Sequence, residues 1–153
     1  MPHDGGILPV PGDEFLTGVS RYSDFHPERR EPLSRIYVSF RPQDARIRFV
    51  GLLDTGGHFC ILSPEVVDLI GDTLGGSEGE TSLLTAQGRI SGKLFRHTIE
   101  LLATRGDSLA VEATVLVSPQ WRGPSVLGYT GFLDRMRFAI DPLENKFYFG
   151  SVG

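Results

Sequence analysis

The chain has 153 residues, enough for one domain with its own core and short for two. Its composition, 40% hydrophobic and 22% charged, is that of an ordinary globular protein, and no apolar run approaches the roughly 20 residues a membrane-spanning helix needs. A formal net charge of -4 argues against a general nucleic-acid binder, which calls for a basic face, and no membrane partner is expected; Arg29-Arg30, Arg46/Arg48 and Arg135/Arg137 read as scattered, solvated pairs.

Residues 1–33 hold five of the ten prolines, four glycines and no sustained periodicity, so an irregular N-terminal arm is expected, followed by one domain over 34–153. Phe15, Leu16, Tyr22 and Phe25 are candidates to anchor that arm. The start, Met1-Pro2-His3-Asp4-Gly5, lacks the basic and apolar segments of a secretory signal. The single Cys60 has no internal disulfide partner, so a cytoplasmic location is the simpler expectation.

From Arg35 onward the pattern is β. Ile36-Tyr37-Val38-Ser39-Phe40 is β-branched and aromatic, Arg41-Pro42-Gln43-Asp44 reads as a turn, and Arg46-Ile47-Arg48-Phe49-Val50 alternates before Gly51-Leu52-Leu53. This predicts a hairpin whose second strand ends at Asp54. Ser63-Pro64-Glu65 predicts a helix start, with Ser63 as N-cap, and Gly71 its end. Gly71 to Glu80, with four glycines, is expected to be a loop. Alternation predicts strands over Leu94–Leu101 and Val111–Val117, joined by a turn at Arg105-Gly106-Asp107. Arg137–Ile140 and Lys146–Phe149 form a final strand pair about Asp141–Asn145. Short strands with frequent turns indicate an all-β, closed or sandwich-like domain.

Asp54 is the residue that points to chemistry. It ends the apolar run Leu52-Leu53, where burial would disfavour an ionised carboxylate unless partners compensate. Thr55 brings a hydroxyl, and Gly56 and Gly57 permit a tight turn. A carboxylate held rigidly on such a turn suits acid/base work, although Asp-x-Gly is also a common turn signal. Val126-Leu127-Gly128, about seventy residues on, is a second apolar element ending in glycine.

An apolar strand ending in Asp54-Thr55-Gly56, paired with a later Val126-Leu127-Gly128, resembles the retropepsin family of aspartic proteases, and in particular its bacterial single-domain members. The resemblance covers roughly Ile36 to Gly150 and implies a small closed acid-protease barrel with one or two short helices. It implies that Asp54 is the catalytic aspartate, that the Thr55 hydroxyl braces the opposing loop, and that Gly56 exposes the carboxylate. Leu127 and Gly128 would support the site from beneath. Leu84-Thr85-Ala86-Gln87-Gly88-Arg89-Ile90 falls where the family carries its substrate-covering flap, and Ser118-Pro119-Gln120-Trp121-Arg122-Gly123-Pro124 where a wall loop precedes the Leu-Gly element. A short helix is expected at Tyr129–Asp134. Apolar cleft walls would favour hydrophobic side chains flanking the scissile bond. The family usually has Ala or Ser where this chain has Gly57, which supplies no hydroxyl to the carboxylate.

The motif occurs once, so the implied catalyst is a symmetric homodimer in which two Asp54 carboxylates share a water and hydrolyse a peptide or protein substrate, with no cofactor and no metal. An inactive dimerisation or peptide-binding module is the alternative. Asp54, His58, Cys60 and Glu65 lie close together but lack metal-ligand spacing. Ser63 lacks the surroundings of a nucleophile, and Gly88-Arg89-Ile90-Ser91-Gly92-Lys93 is one residue short of a phosphate loop. Asp134 and Asp141 read as caps or turn formers.

Overall fold

A computed structural model describes residues 8–10, 14–25 and 32–152. Residues 1–7, 11–13 and 26–31 of the proline-rich arm, including Arg29-Arg30, lie outside the described residues. In chain order the strands are β1 (Leu8–Val10), β2 (Glu14–Leu16), β3 (Gly18–Arg21), β4 (Ser23–Phe25), β5 (Pro32–Pro42), β6 (Phe49–His58) and β7 (Cys60–Ile61). The helix α1 (Pro64–Ile70) follows, then β8 (Gly79–Thr85), β9 (Gly88–Leu101), β10 (Arg105–Gly106) and β11 (Leu109–Val117). The chain ends in β12 (Ser125–Thr130), β13 (Arg137–Asp141) and β14 (Lys146–Gly150).

The expectation of a closed all-β domain is met. Eight strands run in the order β4-β5-β6-β12-β7-β11-β9-β8, and a further pairing of β5 with β9 joins the two sides. Six strands, β5-β6-β12-β7-β11-β9, thereby form a ring, with Phe40 opposite Leu101 at the seam. Closure pairs both sides of these six strands and leaves β4 and β8 as the outer strands. Alternate residues of these strands point inward: Ile99 and Leu101 on β9, Val111, Ala113 and Val115 on β11, and Val38 and Phe40 on β5 are buried together. Phe132, Leu133, Phe147 and Phe149 complete that core. A second cluster, Ile61, Ile90, Leu116, Trp121 and Val126, lies on another side of the ring.

Ser63 caps α1 as its sequence predicts, its hydroxyl accepting from the Val66 N–H at 3.4 Å. The α-helix ends at Gly71 as expected, with Gly71 its C-cap, and a 3₁₀ turn over Gly71–Thr73 follows it. The β9–β11 hairpin and the β13–β14 pair fall close to where alternation places them, whereas β8 and the first half of β9, which pair as a hairpin, lie outside the strands that alternation predicts.

Four expectations need correction. The N-terminal arm is not irregular throughout: Gly18–Arg21 pairs with β14 in a second sheet ordered β10-β3-β14-β13, and Leu16 and Tyr22 are buried. Arg105-Gly106-Asp107 is more than a turn, because Arg105 and Gly106 pair with Val19 and Gly18. Tyr129–Asp134 holds no α-helix; β12 continues to Thr130 and a single 3₁₀ turn covers Leu133–Arg135. Arg135 is not a solvated cation. It donates to the Glu112 carbonyl at 2.5 Å and to Thr114 Oγ1 at 3.1 Å, tying that turn to β11.

Candidate active site

Asp54 lies inside β6, not at its end. That strand begins at Phe49, leaving Arg46-Ile47-Arg48 in the connecting loop, and continues through Asp54 to His58. β12 runs parallel to it, with Val126 opposite Leu52, Leu127 opposite Leu53, and Gly128 opposite Asp54. The next pairing is Thr130 with His58, so four residue steps on β6 face two on β12. Thr55-Gly56-Gly57 thus faces Tyr129 alone, two residues in surplus, and forms a bulge in the ladder. This is how the apolar run delivers a carboxylate to the surface: Leu53 is buried, Asp54 is half-buried, and Thr55 and Gly56 are exposed.

The carboxylate is held from its own bulge. The Gly56 N–H donates to Asp54 Oδ1 at 3.0 Å, the only hydrogen bond to that carboxylate among the described residues. Gly57 stands on its other side. A Cβ at position 57 would sit 3.0 Å from Asp54 Oδ2 and 3.1 Å from Cγ. The space where a Cβ at 57 would stand is therefore closely bordered by the carboxylate.

Gly128 is required by the same crossing. β12 passes between β6 and β7, pairing with both, and a Cβ at 128 would overlap the Phe59 carbonyl oxygen and lie 2.8 Å from its carbonyl carbon. Leu127 beside it is fully buried. Neither residue borders the cleft; both support the bulge from beneath.

Asp54, Thr55, Gly56 and Gly57 open onto a cleft of about 1000 Å³. Leu84, Thr85, Ala86, Gln87 and Trp121 line the same cleft, so the structure brings these sequence-predicted residues together. Gly88 is not part of that lining. It sits at the turn of the β8–β9 hairpin with φ +108°, a conformation suited to glycine, and its carbonyl accepts from Thr85 Oγ1 at 2.7 Å. The hairpin tip is exposed, with Leu84 75% accessible. Trp121 is both wall and core: it is 7% accessible, packs in the second hydrophobic cluster, and donates from Nε1 to the Pro124 carbonyl at 2.8 Å.

The sequence reading missed other lining residues, among them Arg35, Ile36 and His58. Arg35 and Ile36 enter because Ile36 pairs with Leu53, next to Asp54. The signal was the strand pair itself, read without asking which side chains flank its end.

The cleft contains one carboxylate among its described lining residues, that of Asp54. Asp134 and Asp141 are elsewhere, accepting from the Gly131 and Leu143 N–H groups at 2.9 and 3.0 Å, as turn formers do. No cluster of metal-ligating side chains occurs among the described residues. Cys60 faces the core, where burial pushes its thiol from an ordinary 9.0 up to about 12, against smaller opposing effects of a Gly128 backbone hydrogen bond and Arg135. A raised thiol pKa adds stability below pH 9 that is lost as pH climbs toward 12. Native protein at pH 8 is accordingly expected to react with iodoacetamide at least about 100-fold slower than denatured protein, measured by mass shift over time.

No helix among the described residues is long and apolar enough to cross a membrane. No protein-family model matches the chain, and no curated protein does. Among solved structures, the chain is similar to a retropepsin-like aspartic protease from Rickettsia conorii, at 17% identity and a TM-score of 0.54, over 85% of this chain and 95% of that one. At that identity the likeness establishes the fold, an all-β architecture of the acid-protease type, with Asp54 on the bulge between its crossing strands.

Proposed function

We propose that the chain is an aspartic endopeptidase whose active site is completed by a second copy. The observation that carries this reading is the lone carboxylate: Asp54, raised on a bulge over crossing parallel strands, in a large cleft beneath a hairpin. General acid/base hydrolysis of a peptide needs one group to accept a proton from water and another to donate to the carbonyl oxygen. Asp54 and its twofold mate fill both roles. Two adjacent carboxylates cannot both ionise cheaply, so the pair retains one proton over an intermediate pH range. The ionised member deprotonates the water, the protonated member protonates the carbonyl oxygen, and the departing nitrogen is protonated as the intermediate collapses. Thr55 braces the opposing loop, Gly56 fixes the carboxylate through its N–H, and the β8–β9 hairpin covers an extended substrate.

The testing experiment is hydrolysis of an unstructured protein at mildly acidic pH, followed across enzyme dilution. Specific activity should fall as the protein dilutes through its dimerisation constant and recover on concentration. Activity that stays proportional to concentration, from a species of monomer mass, would defeat the reading.

Gly57 supports a second reading, a peptide-binding module without catalysis, since Asp54 Oδ2 has no donor among the described residues. Paired substitutions separate the two. Gly57→Ala crowds the carboxylate with no compensating bond, whereas Gly57→Ser places the same Cβ and adds a hydroxyl able to donate to the carboxylate. An endopeptidase should show kcat for Gly57→Ser about tenfold above Gly57→Ala, the effect of one hydrogen bond to a charged group worth ~1.5 kcal/mol. A module shows cleavage from neither.

A further inference from the structure

The charge lining the cleft is opposite to that of the chain. The whole protein carries a formal charge of -4, yet Asp54 is joined in the described lining by Arg35, Arg89 and His58 and by no second acid. These groups come from three separate places: the end of the β5 pairing beside Asp54, the covering hairpin, and the last residue of the bulged strand. All three are exposed. Among the described residues neither arginine has a carboxylate partner; Arg89 donates only to Ser82 Oγ, at 3.3 Å, across its own hairpin. Two arginines on other faces have carboxylate partners, while Arg46, Arg48, Arg105 and Arg122 have none among the described residues, so it is the shared cleft that sets Arg35 and Arg89 apart. Arg41 is paired with Glu100, and Arg96 with Glu78 and Glu112. The same lining includes the apolar residues Ile61, Leu83, Trp121 and Val126.

We propose that the segment recognised in this cleft is an acidic peptide, with apolar side chains seated on the floor and carboxylate side chains flanking them toward Arg35 and Arg89. This rests on the reading of the cleft as a substrate site, and departs from the purely hydrophobic preference that the family resemblance implies. The physical basis is field focusing. A cleft of one sign with apolar walls concentrates oppositely charged segments, while the net negative surface elsewhere repels them from unproductive contact. In a twofold dimer each cation appears twice, so both arms of an extended peptide meet one.

The test uses two peptides with one apolar core, flanked either by glutamates or by lysines, offered to the full chain. Wild type is assayed for cleavage, and Asp54→Asn for binding by fluorescence anisotropy. The acidic peptide should show kcat/KM, and affinity for Asp54→Asn, roughly tenfold higher than the basic one, the sum of a few exposed ion pairs. The margin should shrink as salt rises from 50 to 500 mM. Arg35→Glu with Arg89→Glu should reverse the preference. If Asp54→Asn binds the acidic peptide selectively and wild type cleaves neither, the charge inference stands and the protease reading fails. Equal or basic-favouring behaviour in both assays, or no binding and no cleavage of either peptide, overturns the inference.

Discussion

Gly128→Ala is expected to cost about 3 kcal/mol and to lower Tm by roughly 10 °C. The position has no room: a methyl group there overlaps the Phe59 carbonyl oxygen and approaches the Gly57 carbonyl oxygen to 3.1 Å. Both neighbours are backbone, so no rotamer change relieves the clash, and β12 must move away from β6, β7 or both. Because β12 is the strand shared between them, displacement breaks the parallel register that sets Asp54 opposite Gly128. Activity should therefore fall further than stability alone dictates. Gly76→Ala is the matched control: nothing lies within 4 Å of the added carbon, and its Tm should stay within a degree or two of wild type. A Gly128→Ala protein with wild-type Tm would mean that the strands do not cross as closely as described.

Asp54→Asn should leave folding intact and lower kcat by about 10³-fold or more. Asparagine has nearly the same shape and can still accept the Gly56 N–H that now reaches Asp54 Oδ1, so the bulge keeps its geometry. What the amide cannot do is take a proton from water. Since Asp54 is half-buried at the mouth of a solvent-filled cleft, removing its charge strands no partner in the core. Circular dichroism and thermal melting should superpose on wild type, while cleavage disappears. Loss of both fold and activity would assign Asp54 a structural role.

The parts of this molecule that sequence discloses are those decided within about twenty residues. Ser63-Pro64-Glu65 announces a capped helix because the cap acts on Val66, three residues away. The β9–β11 hairpin follows from alternation on both sides of a short connection. Asp54 stands out because an acid after Leu52-Leu53 contradicts its own strand. Contacts made across the chain were hidden. Gly18–Arg21 has ordinary composition for a loop, and it becomes a strand only because β14, over a hundred residues later, offers it an edge. Arg105-Gly106 is drawn into the same sheet for the same reason. The bulge at Thr55–Gly57 is likewise a property of a pair: it exists because β12 spends two residues where β6 spends four. The close crossing at Gly128 was implied by the resemblance, but the neighbour that demands a glycine there, the Phe59 carbonyl, is known only from the fold. The cleft cations were least visible, because Arg35 and Arg89 acquire meaning only from a shared space.

The shared-site account is tested most directly by mixing chains. Wild type and Asp54→Asn, equilibrated together in equal amounts and allowed to exchange, form dimers of which about a quarter carry two aspartates. If each site needs Asp54 from both copies, activity should fall to about a quarter of that of the same total amount of wild type, and should follow the square of the wild-type fraction. A fall to about half, linear in that fraction, would show that one chain suffices and would contradict the account.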